Sequence, residues 1–301
     1  MRYIGRQEVR RIRGYTIPVL ALLLFVALVA AVHVSTTTLE YSRHNIQWNG
    51  TSLFFDRLDA GGAVAITDYT RLDGYTGSLF LIIAPSGNLT DEDVSMIDRY
   101  LQAGNMVLIA DDTGTGNEIL TGLESGIEIS PGNLSSLDRE YRDPAALTGT
   151  VSHPHPLLAD VTTVQFNHPS AVAGGVPLVN TSRLSWVDTN GNQRPDADES
   201  MKTFAICAFE RRGSGELVVL ADPEIFINSM SGLGTGLDND RLLLNILEAY
   251  PVVLYDRTQS RTADTDGMVA MVQWLKTTPL RDLLAAAVIA VATLAVIRRA
   301  R

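Results

Sequence analysis

Ser78-Leu-Phe-Leu-Ile-Ile-Ala84, with Pro85-Ser-Gly87 behind it, and then Thr90, Asp91–Ala103 and Met106-Val-Leu-Ile-Ala110, form the stretch on which the fold turns. A strand with one wet face alternates apolar and polar residues. The unbroken apolar run Leu79–Ala84 instead marks a strand covered on both faces, ended by proline and glycine. Thr90 has an N-cap side chain, acids fill the first turn after it, and Val94, Ile97, Tyr100 and Leu101 recur at helical spacing until Gly104. Met106–Ala110 repeats the buried-strand pattern. Strand, helix, strand in that order calls for a right-handed crossover between parallel strands. Working outward, the pattern predicts a helix over Thr51–Leu58, a strand over Ala63–Thr67 and a helix over Gly116–Leu123. The expected class is α/β, a doubly wound, mostly parallel sheet.

Regularity weakens after Ser125, where Pro and Gly become frequent and His153-Pro-His155-Pro interrupts any helix. Thr163–Phe166, Leu178–Val187, Thr203–Phe209 and Glu216–Ala221 read as strands, which makes the second half β-rich. Arg241–Ala249 closes the domain as a helix with Leu242, Leu243, Ile246 and Leu247 on one face. No internal repeat is visible. A single cysteine excludes an internal disulfide framework, so the core must hold the domain.

Two apolar runs bracket this region. Tyr15–Val34 is uncharged and long enough to cross a bilayer, with Arg2, Arg6, Arg10, Arg11 and Arg13 before it. Leu283–Ile297 is shorter and is followed by Arg298, Arg299 and Arg301. Arginine-rich flanks face the cytoplasm. The expectation is thus a two-pass cell-membrane protein: basic tail 1–14, membrane helix 15–34, extracytoplasmic domain 35–259, linker 260–280, membrane helix 281–297 and basic tail 298–301. The competing readings are a leader peptide cleaved near Ala31 and a second helix lying flat in the interface. The whole chain carries −10, and residues 35–280 hold 15 basic against 32 acidic groups, a formal −17. Such a surface repels phosphates, so nucleic acid is excluded as a partner, and cations or basic proteins are favoured. Sequons at Asn49, Asn88, Asn133 and Asn180 fit a surface open to glycosylation.

The stretch from Ser42 to Asn117 carries Gly50-Thr51-Ser52, Leu81-Ile82-Ile83-Ala84-Pro85, Tyr100-Leu101-x-x-Gly104 and Ala110-Asp111-Asp112. Later come Gly213-x-Gly215-x-Leu217-Val218-Val219-Leu220-Ala221-Asp222-Pro223-x-x-Phe226-x-Asn228, Asp238-Asn239 and Asn245. Together they resemble an uncharacterised membrane-anchored domain family, similar in fold to class I glutamine amidotransferases. The resemblance implies a flavodoxin- or amidotransferase-like sheet and gene neighbours that include MoxR-type ATPases. It also implies relatives that serve as auxiliary parts of ABC-type exporters. Amidotransferases of that fold hold a catalytic cysteine in the turn after the strand matching Met106–Ala110. Here the turn reads Asp111-Asp112-Thr113-Gly114-Thr115-Gly116, without a thiol. Cys207, mid-strand in Thr-Phe-Ala-Ile-Cys-Ala-Phe, reads as a small core residue, and Thr113 is a conceivable nucleophile whose two adjacent carboxylates make a poor oxyanion environment.

That turn is still a candidate ligand site. Ligands settle at the carboxyl ends of parallel strands, where Asp111, Asp112, Thr113 and Asn117 would project, although the same acids would equally cap the next helix. The sharpest chemical signal is Asp188-Thr-Asn190-Gly-Asn192-Gln-Arg194-Pro-Asp196-Ala-Asp198-Glu199. Side-chain oxygens of Asp188, Asn190, Asn192, Asp196 and Glu199, with the carbonyl of Arg194, follow the spacing of a calcium loop. Gln193 departs from it, standing where such loops place glycine. An acidic hairpin loop in water is the bland alternative. His153, His155 and His168 raise zinc, but such a site wants four convergent ligands and the prolines beside all three point to rigid loop turns. The functional expectation is a non-enzymatic, membrane-anchored binding or assembly module that works with other membrane or surface proteins and uses Ca2+ for stability. Its alternatives are a hydrolase or transferase acting on a surface polymer through Asp111, Asp112 or Asp222, and an exporter subunit.

Overall fold

The apolar run that anchors the sequence is also the middle strand of the parallel part of the sheet. In the computed structural model the described residues are Leu22, Phe25 and 35–277, without 139–140 and 234–235. Thr38–Asp264 forms one unit, and residues 1–37 and 265–301 belong to another. The larger unit runs α1 (Ser52–Ala60), β1 (Val64–Ile66), β2 (Ser78–Ile83), α2 (Asp91–Gln102), β3 (Met106–Ala110), α3 (Asn117–Gly122), β4 (Glu128–Ser136) and β5 (Thr148–Val151). It continues through β6 (Thr163–Gln165), β7 (Ser170–Ala173), β8 (Val176–Asn180), β9 (Ser185–Asp188), β10 (Ala205–Arg212), β11 (Gly215–Leu220), α4 (Asn239–Glu248) and β12 (Val252–Asp256).

β1, β12, β2, β3 and β11 pair in parallel, in that order. From β11 onward the path passes through β10, β7, β4 and β9, with β8, β5 and β6 branching from β10, and every pairing there is antiparallel. The sheet of 12 strands is therefore mixed and mostly antiparallel, which corrects the doubly wound, flavodoxin- or amidotransferase-like expectation. The physical reason lies between β3 and β11. Instead of one crossover helix, the chain inserts seven strands there and reaches β11 by a hairpin through Gly213-Ser214, with Gly213 at φ +60°. A hairpin reverses direction, so each strand laid beyond it is antiparallel.

The parallel block is buried on both faces. Leu79, Leu81 and Ile83 of β2 pack with Phe54 and Phe55 of α1 and Leu243 and Ile246 of α4. Phe80 and Ile82 pack with Ile97 and Leu101 of α2 and Ile119 of α3. Successive strand side chains point to opposite faces, which is why a buried strand reads as a continuous apolar run. Thr90 and Asp93 cap α2 reciprocally: Asp93 N–H donates to Thr90 Oγ1 (3.2 Å) and Thr90 N–H to Asp93 Oδ2 (3.0 Å). Val252–Asp256, beyond the helix expected to close the domain, adds β12 between β1 and β2.

The two runs expected to cross a membrane, 15–34 and 281–297, lie outside the described residues apart from Leu22 and Phe25. Among the described residues no helix is long and apolar enough to cross a membrane, and the two-pass cell-membrane expectation is corrected on that finding. Within the span expected to be a linker, the second unit contains a helix, α5 (Gly267–Thr277).

Candidate functional site

The carboxyl ends of β3 and β11 lie side by side, and the turn after β3 contains the four residues singled out from the sequence. Three of them serve the turn itself. Asp111 accepts from the Thr113 N–H (3.1 Å) and hydroxyl (2.7 Å) and from Gly116 N–H (2.8 Å), and it is almost wholly buried. Thr113 is thereby tied through its hydroxyl. Asn117 clamps β4, donating Nδ2 to Ile129 O and accepting Ile129 N–H on Oδ1, both at 2.9 Å. These residues hold the start of α3 against the sheet.

Asp112 behaves differently. The charge of Glu224 acts on it, and also on Asp222 and on the Tyr41 hydroxyl, each of which it pushes upward. Burial first, then Glu224 and Asp111, push the Asp112 carboxyl up to about 7. Burial also pushes Asp222 well above the usual carboxylate range, although its oxygens accept from Asn167 N–H (2.7 Å) and Glu224 N–H (2.8 Å). Glu224 Oε2 is buried without a hydrogen-bond partner. Sequence reading missed Glu224. The signal available was Asp222-Pro-Glu224 at the end of a buried run beside the one that ends in Asp111-Asp112.

The 188–199 loop connects β9 toward β10 and winds around its own carboxylates. Asp188, 8% exposed, accepts from Gly191 N–H (2.7 Å), Asn192 N–H (3.2 Å) and Gln193 N–H (2.7 Å). Glu199, also 8% exposed, accepts from the Thr189 N–H (2.8 Å) and hydroxyl (2.9 Å) and from Asp196 N–H (3.2 Å). Asn190 Oδ1 takes Asn192 N–H (3.0 Å), and Asn192 Oδ1 takes Arg194 N–H (2.7 Å). Both asparagines donate Nδ2 to Asp196 Oδ2 at 2.7 Å. Gln193 adopts φ +59°, the left-handed turn that glycine makes at the sixth position of a calcium loop. The departure in sequence is therefore not a departure in backbone.

The donor set fits a hard cation, being all oxygen: three carboxylates, two amides and the Arg194 carbonyl. Among the described residues no three His, Cys, Asp or Glu side chains are grouped to hold a metal on their own. Calcium here would rest on the amide and carbonyl oxygens as well, and Asn190 and Asn192 would turn their Nδ2 groups away from Asp196. His153 and His155 both lie beside Phe209, with ring centroids at 6.1 and 5.3 Å, and the histidines form no metal group among the described residues. His155 Nδ1 accepts from Leu157 N–H (3.3 Å) with Nε2 3.4 Å from Glu216, while His168 Nε2 lies 3.5 Å from Asp143. Cys207 is buried in β10, and burial pushes its thiol up to about 12, which removes it as a nucleophile.

A family described as a domain of unknown function (DUF4350) matches residues 43–247. The chain belongs to that family. No curated protein matches it. Among solved structures, the mmIFT52 N-terminal domain is similar over 67% of this chain and 90% of its own, at 16% identity and a TM-score of 0.51, a likeness of fold alone. A β-galactosidase from Bacillus circulans sp. alkalophilus matches at 9% identity and a TM-score of 0.32, over 51% of this chain and 21% of its own. The exo-β-1,4-mannosidase Op5Man5 from Opitutaceae bacterium strain TAV5 matches at 13% and 0.28, over 50% and 21%. The last two likenesses carry no argument.

Proposed function

We propose that this member of the family is a non-catalytic binding and assembly module whose 188–199 loop is ordered by calcium and helps shape a surface for a protein partner. The observation that carries this is Gln193, a non-glycine residue held at φ +59° while Asp188 gathers three consecutive backbone N–H groups. A left-handed non-glycine residue costs ~1 kcal/mol or more and persists where its surroundings demand that backbone. The resemblance adds a partner class to test first, the products of genes encoded with a MoxR-type ATPase. Titrating calcium into the full chain by calorimetry tests the loop. The wild type should show saturable heat with weak affinity, ~10⁻⁴–10⁻³ M, and Asp188→Ala should show none. Equal heats, or none in the wild type at millimolar calcium, would remove calcium from the proposal.

One observation favours a second reading. Asp112, Asp222 and Glu224 converge, and a carboxyl group raised to about 7 suits general acid–base work on a polymer bond. Release of label from a soluble polysaccharide by the full chain, abolished by both Glu224→Gln and Asp112→Asn, would establish it. Release that persists in either variant would reject it.

A further inference from the structure

We propose that a cleft of about 350 Å³ between the Trp48 loop and the end of β6 is a binding site for a neutral saccharide. Trp48 and Tyr141 line it and are 64% and 45% exposed, an uncommon placement for large rings with no partner to cover them. Trp48 is held in place by its backbone. Its carbonyl accepts from Ser229 N–H (3.0 Å), the neighbouring Gln47 carbonyl accepts from Asn228 Nδ2 (2.6 Å), and Gly50 O accepts from Asn228 N–H (2.7 Å). Gly50 has no space for a side chain, since a Cβ would stand 1.9 Å from Asn45 O. The indole is thus presented on a fixed loop.

A second, independent observation comes from Gln165, which also lines the cleft and is 2% exposed. Its N–H donates to Asn239 Oδ1 (2.9 Å), its carbonyl accepts from Asn239 Nδ2 (2.8 Å), and its Nε2 donates to Leu147 O (3.1 Å) and Phe166 O (2.7 Å). Two carbonyls at the nitrogen end prevent the amide from turning over. Oε1 is left buried without a donor. Buried acceptors are nearly always satisfied, so the site calls for a hydrogen-bond donor brought from outside.

The ligand chemistry follows. It needs an apolar face for the rings and a hydroxyl for Gln165, and it cannot be an anion within a region of formal charge −17. A cation is the competing ligand class, since Asp143 keeps its charge while accepting from Gln193 Nε2 (3.0 Å) and lying 3.5 Å from His168. A pyranose ring has a C–H face and several hydroxyls, and Asn167, also lining the cleft, supplies a further polar contact. The cleft meets the 188–199 loop at Asp143, which accepts from Gln193 Nε2 (3.0 Å), while its rings and Gln165 lie outside that loop.

Saturation-transfer NMR on the full chain tests it, with methyl pyranosides of glucose, mannose and galactose as probes and tetramethylammonium as the cationic comparison. At least one pyranoside should show transfer at its ring C–H protons, with affinity about tenfold weaker in Trp48→Ala. Trp48 is exposed, so that variant folds, which its unchanged melting temperature would verify. No transfer to any pyranoside, equal affinity in Trp48→Ala, or transfer to tetramethylammonium alone would overturn the proposal.

Discussion

Two acid-rich regions of this molecule look alike in sequence and differ in what their oxygens do. At the carboxyl edge of the parallel block, Asp111 and Asp256 are consumed by their own turns. Asp256 accepts from Thr258, Gln259 and Ser260 and from the Tyr69 hydroxyl, at 2.6–3.0 Å. The loop after β9 also winds around Asp188, but Asn190 and Asn192 stay exposed and both donate to the half-buried Asp196. A buried acid that caps a turn is structural, whereas the Asp196 carboxylate, held by two asparagine Nδ2 groups at the surface, becomes available to a cation when those amides turn over. The count of acids separates nothing, and the donors that reach them separate everything.

The largest effect that could break this contrast is in the core. Phe80→Ala opens a cavity between Tyr69 and Tyr100 in the parallel block and should cost about 3–5 kcal/mol in denaturant unfolding. Leu184→Ala, exposed before β9, should stay within ~0.5 kcal/mol. Similar costs at both sites would deny that the parallel block is the stability core.

Next comes the acid pair. Asp112 titrates near 7 in the fold against an ordinary 3.8, so the folded state retains a proton that the unfolded chain has released. Stability from this group is present at low pH and falls as pH rises from about 4 to about 7. Asp112→Asn should flatten that fall and be more stable than the wild type by about 1–3 kcal/mol at pH 8. A variant that is less stable there would show the charged carboxylate to be needed.

Gln193→Gly sharpens the loop side of the comparison. It should relieve the left-handed strain and raise stability without calcium by about 1 kcal/mol, read from thermal unfolding. Unchanged or lower stability would mean that the side chain's bond to Asp143 outweighs the strain. Smallest is the ligand effect: millimolar calcium should raise the melting temperature of the full chain by about 2–4 °C. No shift in the wild type would count against the loop as a cation site.

Sequence reading recovered the parts governed by local rules. Met106–Ala110 and the Thr90-capped helix stand where periodicity and capping put them, because a doubly buried strand and an N-cap write themselves into adjacent residues. The overall architecture was not legible. Whether Glu216–Leu220 is entered by a crossover or by a hairpin depends on pairing with Ala205–Arg212, a tertiary choice that no window of residues reveals. Leu178–Val187, expected as one strand, is two, broken at Thr181–Leu184. At the sites, the spacing of the calcium loop was visible, but the backbone that Gln193 adopts was not. Gln165 was invisible for a simpler reason: its interest lies in which of its atoms lacks a partner, and that is a fact of packing alone.

Hydrogen exchange on the full chain with and without calcium tests the contrast between the two acidic regions most directly. The expected result is added protection confined to residues 188–199 and the adjoining strands, with 111–117 unchanged. Added protection at 111–117 with none at 188–199, or no change in either, would contradict it.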